Sequence, residues 1–151
     1  MSRPAALLVA VVVLVVAGCG GNGSETRLRL VIPDNNIRTV GVECSGARPF
    51  RHVHRGTPYR IEAGDGSVVA EGELPAGSAE NADPSIDWES DRIPTVCVIE
   101  LDVDLPERPG YRFVLDGSVP IEFDAAQLAA DEPLLLVLTG CPVTPARAAC
   151  T

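Results

Sequence analysis

The chain of 151 residues contains no lysine: its 12 basic residues are all arginine, set against 21 aspartates and glutamates for a formal charge of −9. A surface of that sign repels phosphate backbones and anionic headgroups, which argues against nucleic-acid binding. There are only two histidines, His52 and His54, and neither neighbours a serine in a Gly-x-Ser-x-Gly setting. There is no P-loop and no glycine fingerprint joining a strand to a helix. Cys-x-x-Cys is missing, which removes the thioredoxin-type redox motif and the zinc knuckle. These absences leave no support for an enzyme, and catalytic residues are expected to be none. The longest apolar run, Ala5 to Ala17, has thirteen residues. That falls short of the roughly 20 needed to span a bilayer and matches the core of a signal peptide.

The run is preceded by Arg3 and followed by Val16-Ala17-Gly18-Cys19. This tetrapeptide resembles the lipobox of bacterial lipoproteins: an aliphatic residue, two small residues, then cysteine. The resemblance implies that residues 1–18 are a signal peptide removed before Cys19. It also implies that the Cys19 sulfur carries a diacylglycerol, and that the mature N-terminus is a lipid anchor in the cell membrane, palmitate being a typical chain. Two acyl chains give the stable attachment that one chain does not. The expected partners are therefore the membrane, through the anchor, and an envelope protein or ligand that the residues do not identify. The address is the extracytoplasmic face. Gly20 to Thr26 is rich in glycine and polar residues and reads as the end of a flexible tether, 19–26.

Without the leader 133 residues remain, one domain of ordinary size. Period-two alternation dominates it. Leu28, Leu30 and Ile32 oppose Arg27 and Arg29; Tyr59, Ile61 and Ala63 oppose Arg60 and Glu62; Tyr111, Phe113 and Leu115 share a face. The clearest strand follows Thr95, with Cys97, Ile99, Leu101, Val103 and Leu105 on one side and Glu100, Asp102 and Asp104 on the other. Arg38 to Cys44 reads as a strand with Val40, Val42 and Cys44 together. Pro120 marks an edge strand at 119–123. Asp124 with Gln127 makes a capping box for one short helix. Leu134 to Leu138 reads as a buried strand. The acidic stretch from Pro75 to Pro94 reads as a mobile loop. The expected fold is all-β, an antiparallel immunoglobulin-like β-sandwich over 27–139 with one short helix and a C-terminal tail over 140–151.

With Cys19 assigned to lipid, Cys44, Cys97, Cys141 and Cys150 remain, an even number that reads as two disulfides with three possible pairings. Cys44 and Cys97 both fall on inward faces. Their pairing is expected to link the two sheets through the core, and Cys141 with Cys150 then closes the tail. The mature region also resembles small actinobacterial lipoproteins of unknown function. The likeness rests on Cys44 with Gly46, GTPYRIEAGDGSVVAEGELPAG from Gly56, CVIELDVDLP from Cys97, YRFVLDG from Tyr111 and DAAQL from Asp124. It implies a fold and no catalytic residues.

One alternative function remains open. His52 and His54, two apart on a strand, would point the same way and could grip copper or zinc, with Glu43 or Glu62 completing the set. Arg51 and Arg55 beside them oppose a cation. No resident cofactor or metal is expected. Asp87 to Asp91 and Glu100 to Asp104 invite a calcium reading, but a strand presents carboxylates in a line and calcium wants them folded back. A solvated acidic face is the better account. Trp88 is either a recognition aromatic or a cover for the end of the sandwich.

Overall fold

In the computed structural model, residues 23–140 are described together with the backbone of 143–144 and 147–148. Cys19, Cys141 and Cys150 lie outside the described residues, and so do the expected signal peptide and the expected second disulfide pairing. The strands, in chain order, are β1 (Gly23–Arg38), β2 (Glu43–Cys44), β3 (Pro58–Ala63), β4 (Val68–Glu73), β5 (Gly77–Asn81), β6 (Ile93–Pro106), β7 (Gly110–Leu115), β8 (Ile121–Asp124), β9 (Leu134–Val137), β10 (Val143–Thr144) and β11 (Arg147–Ala148), with one helix, α1 (Ala125–Leu128), between β8 and β9. One sheet has the order β2-β5-β6-β1-β9 and the other β4-β3-β7-β8, packed as the expected sandwich; β10 and β11 pair with each other.

The spine is the antiparallel ladder of β1 with β6, which runs from Gly23 opposite Pro106 to Arg38 opposite Ile93. Alternation decides which side is dry. Leu28, Leu30, Ile32, Cys97, Ile99 and Leu105 are buried to within 1% of complete. On the outer face the register sets Arg29 opposite Glu100 and Arg27 opposite Asp102. Arg29 also pairs with Glu80 of β5. Opposite charges placed directly across a ladder contribute a few tenths to about 1 kcal/mol each. In the second sheet Ile61 and Phe113 face the core, and Tyr59 stacks on Phe113 with ring centroids 5.5 Å apart. β8 is an edge strand after Pro120 and leads into α1. There Asp124 accepts from the Gln127 backbone N–H, and the Gln127 side chain accepts from the Asp124 backbone N–H.

Cys44 and Cys97 are disulfide-bonded, with Cα atoms 5.8 Å apart and 53 residues of separation. The bond does not join the two sheets as expected. Both cysteines belong to one sheet, and β5 lies between their strands. The bridge therefore crosses the core side of β5 at Gly77, which pairs with Cys44. A Cβ on Gly77 would sit 2.7 Å from the Cys97 sulfur and 3.1 Å from the Cys44 carbonyl oxygen, so a side chain is excluded by the crossing itself. The acidic stretch from Pro75 to Pro94 thus contains a strand, and the loop proper is reduced to residues 82–92. Its inward residues, Gly77 and Ala79, are too small to show as apolar alternation.

Three other expectations change. The tether ends earlier than its composition implied: β1 begins at Gly23, and Gly23 to Thr26 pair with Val103 to Pro106. Polar residues suffice here because backbone pairing with the long β6 holds them. The strand expected from Arg38 shrinks to Glu43–Cys44, and Val40 and Val42 are 51% and 42% exposed. A turn at Gly41, whose φ of 84° favours glycine, carries the chain away from β1. β9 is half-buried, not buried throughout. It is an edge strand parallel to β1, and Leu136 faces the core while Leu135 is 55% exposed.

Replacing Gly77 with alanine is expected to destabilise the fold by about 1–3 kcal/mol through overpacking. The same change made without the disulfide, in C44A/C97A, is expected to cost much less, because the clashing sulfur is gone. Urea unfolding of the four proteins measures both numbers. Equal costs in the two backgrounds would contradict the crossing.

Candidate functional site

The end of the sandwich remote from Gly23 gathers most of the polar side chains singled out from sequence. It is built around an irregularity in β1. Between Ile32 and Asn36 the register with β6 slips, and Asn35 takes a positive φ of 48°. The insertion turns Asp34 inward, where its side chain is fully buried. Asp34 accepts two hydrogen bonds from Arg38, at 3.2 and 2.6 Å, and one from the Ala47 backbone N–H at 3.2 Å. Arg38 also donates to Thr95 Oγ1 and to the Ser45 carbonyl oxygen. A buried charge pair persists only when its remaining hydrogen-bonding capacity is met in this way. The network ties β1, β6 and the segment after Cys44 together.

That segment has its own close contact. Gly46 donates to the Val53 carbonyl oxygen at 2.7 Å, and a Cβ on Gly46 would fall 2.0 Å from the Phe50 carbonyl oxygen. The tight fold-back places Phe50 and Val53 in the core and leaves a cleft of about 520 Å³ against Asn36, Arg38, Glu43, Ser45, His54 and Arg55. Arg38 is already engaged with Asp34, and Arg55 lies 3.5 Å from Glu43. The cleft therefore offers few uncommitted charges to a ligand.

The two histidines lie in this fold-back and not on a strand. The His52 ring meets Ser118 Oγ at 2.7 Å through Nε2, with Ser118 buried. His54 is exposed and donates from Nδ1 to the Arg55 carbonyl oxygen at 2.8 Å. Val53 between them is fully buried. Each imidazole thus spends one ring nitrogen on a local partner. Both carboxylates considered as further ligands are engaged too, Glu43 with Arg55 and Glu62 with Arg60 and Arg112. Among the described residues, no three His, Cys, Asp or Glu side chains are gathered as a metal ion would require. Ser118, the partner of His52, is only 6% exposed.

Glu62 reads from sequence as an outward residue of an alternating strand and as a candidate further ligand beside the histidines. Its residue exposure is nonetheless 7%, because arginines cover it from both sides: Arg60 on its own strand at 2.7 Å and Arg112 directly opposite on β7. Hydrogen bonds from Arg60, then Arg112, hold its carboxyl below the usual range. At the remote end, the loop of residues 82–92 folds back on itself. Asp83 accepts from the Ser85 backbone N–H and hydroxyl, and those bonds lower its pKa. Trp88 is half-buried and donates from Nε1 to Asn81 Oδ1 at 3.2 Å, beside a hollow of about 490 Å³ that also touches Ile86 and Ile93. Trp88 thus packs over the end of the sheet while its loop exposes Asp87, Glu89 and Asp91. Glu100, Asp102 and Asp104 stand in a line on β6, and the first two face arginines of β1.

The chain matches no family model, no curated protein and no solved structure.

Burial, with His54 second, lowers the His52 pKa from 6.5. A histidine held neutral in the folded state contributes stability above its unfolded value, and this is lost as pH falls below 6.5. Glu62, with its lowered pKa, contributes stability above 4.5 that is lost as pH falls further. The unfolding midpoint is therefore expected to decline in two windows. The His52→Gln variant should flatten the upper one and leave the acid limb in place, as followed by Trp88 fluorescence in urea at pH 2 to 8. An unchanged upper slope would contradict the placement of His52.

Proposed function

We propose that this chain is an extracytoplasmic lipoprotein, anchored through Cys19, whose β-sandwich is a non-enzymatic binding or scaffolding domain. The observation that carries the reading is the Cys44–Cys97 disulfide in the core. Disulfides of this kind form and persist in oxidising compartments and are rare in a reducing cytosol. An oxidised core fits an exported chain, and the thirteen apolar residues followed by Val-Ala-Gly-Cys read as the signal for it. The resemblance to bacterial lipoproteins, and to small actinobacterial ones over the mature region, supports the same address. The binding or scaffolding role is supported by the commitments of the polar side chains. Arg29, Arg38, Arg55, Arg60 and Arg112 are paired with carboxylates, and His52 and His54 are each held by a local partner, as in a rigid carrier of exposed loops. Such loops on a fixed scaffold are where recognition concentrates.

The chain purified from its host is expected to have the mass of a polypeptide beginning at Cys19 plus a diacylglyceryl group. It should partition into detergent, and Cys19→Ser should lose both the added mass and the partitioning. An unacylated start or an intact leader would overturn the proposal.

A further inference from the structure

We propose that β9 is an association edge, where a second copy of this chain adds its own β9 antiparallel across a two-fold axis beside Leu136. β9 ends the larger sheet, with β1 on one side and, among the described residues, no strand on the other. Leu138 donates to the Val31 carbonyl oxygen at 3.0 Å, and the parallel register sets Leu136 opposite Leu30. Backbone groups alternate sides along a strand. The N–H and C=O of Leu136 and the N–H of Leu138 therefore turn toward β1, and those of Leu135 and Val137 turn to the open edge. The side chains of the same two residues are 55% and 45% exposed. Apolar side chains and an unpaired stretch of backbone thus coincide. Such an edge is a template for another strand unless charge, proline or a bulge blunts it.

Charge separates β9 from the other edges. The formal charge of the chain is −9, so two copies repel wherever their edges are acidic. β4 carries Glu71 and Glu73, β8 carries Glu122 and Asp124, and β2 carries Glu43. From Pro133 to Gly140 there is no charged residue, and the pairing of β9 with β1 runs without a bulge. Among the described residues, β9 is the one sheet edge that presents no acid to a second copy.

One register satisfies both the backbone and the side chains. Residues opposite each other in an antiparallel pair point to the same side of the sheet. Leu135 of one copy opposite Val137 of the other keeps the outer faces of both sheets on one side. Leu136 then meets its own counterpart at the axis. Both members of the Leu135–Val137 pair turn their N–H and C=O to the open edge, so they exchange hydrogen bonds directly. Their exposed side chains cover each other. A shift of two residues one way brings Pro133, which has no N–H, opposite Val137. The same shift the other way brings Thr139 opposite Leu135. In the favoured register Glu132 falls opposite the uncharged Gly140. A patch that complements itself in this way is what a two-fold interface requires, and it favours a second copy over an unrelated strand.

Sedimentation equilibrium of the full chain in density-matched detergent tests the edge. At a protomer concentration of about 100 μM the native chain is expected to have twice the protomer mass, falling on dilution. L135E/V137E sets like charges against each other and is expected to weaken the association at least tenfold. L135E/V137K sets opposite charges against each other in the same register and is expected to restore it. Both positions are exposed, and Trp88 fluorescence in urea checks that the variants are folded; L135E alone serves if the double glutamate variant is not. A native chain that stays at the protomer mass would overturn the proposal and leave the edge to an unrelated strand. So would an L135E/V137E chain that associates as the native one does, which is the result if two copies merely share a micelle. An L135E/V137K chain that stays as weak as L135E/V137E would overturn the register.

Discussion

The disulfide between Cys44 and Cys97 is the constraint on which both the fold and its interpretation depend. It fastens the short β2 across β5 to the spine, on the dry side of the sheet. From that point the chain enters the fold-back that holds His52 and His54. Closing a ring of this size raises the free energy of the unfolded chain by about 4 kcal/mol on the loop-entropy account. Small domains have limited apolar surface to bury, so a contribution of that size is a large part of the few kcal/mol that keep such a domain folded. The same bond supports the proposed address, because disulfides of this kind are rare in a reducing cytosol. Gly77 is its counterpart: the bridge exists only where the strand beneath it has no side chain.

Polar residues follow a second rule. Among the described residues, the charges most covered by their surroundings lie beside opposite charges. Asp34 meets Arg38, and Glu62 meets two arginines. Arg29 lies between Glu80 and Glu100. Arginine is the only long cation in the chain, and its planar fork suits this work better than an ammonium would. Charges engaged in such pairs hold loops in place and are poor candidates for catalysis. The acidic loop around Trp88 leaves Asp87, Glu89 and Asp91 exposed at the end of the sandwich.

The strands that alternate large apolar with charged residues were legible because each large residue reports its own side. Leu28, Leu30 and Ile32 on β1 and Cys97 to Leu105 on β6 all lie where alternation puts them, and the capping box of Asp124 and Gln127 forms as written. β5 escaped notice because Gly77 and Ala79 carry no apolar bulk, and the reason for their size, the disulfide above them, is a long-range fact. Val40 and Val42 misled in the other direction. They alternate like a strand, but Gly41 turns the chain and leaves them in water. Proximity of Cys44 and Cys97 could be argued from facing, whereas the route of the bond could not, since strand order decides which sheet each cysteine joins. His52 and His54 were separable only in space. Their spacing suits a shared ion on a strand, and a turn with Val53 buried between them gives each ring a different neighbour.

Peptide mapping of the unreduced protein tests this account most directly. A linked fragment pair containing Cys44 and Cys97 is predicted, with no fragment joining either of them to the C-terminal cysteines. Cys97 found bonded to Cys141 or Cys150 would remove the bridge over Gly77, and Cys44 and Cys97 found as free thiols would remove the oxidised core on which the extracytoplasmic reading stands.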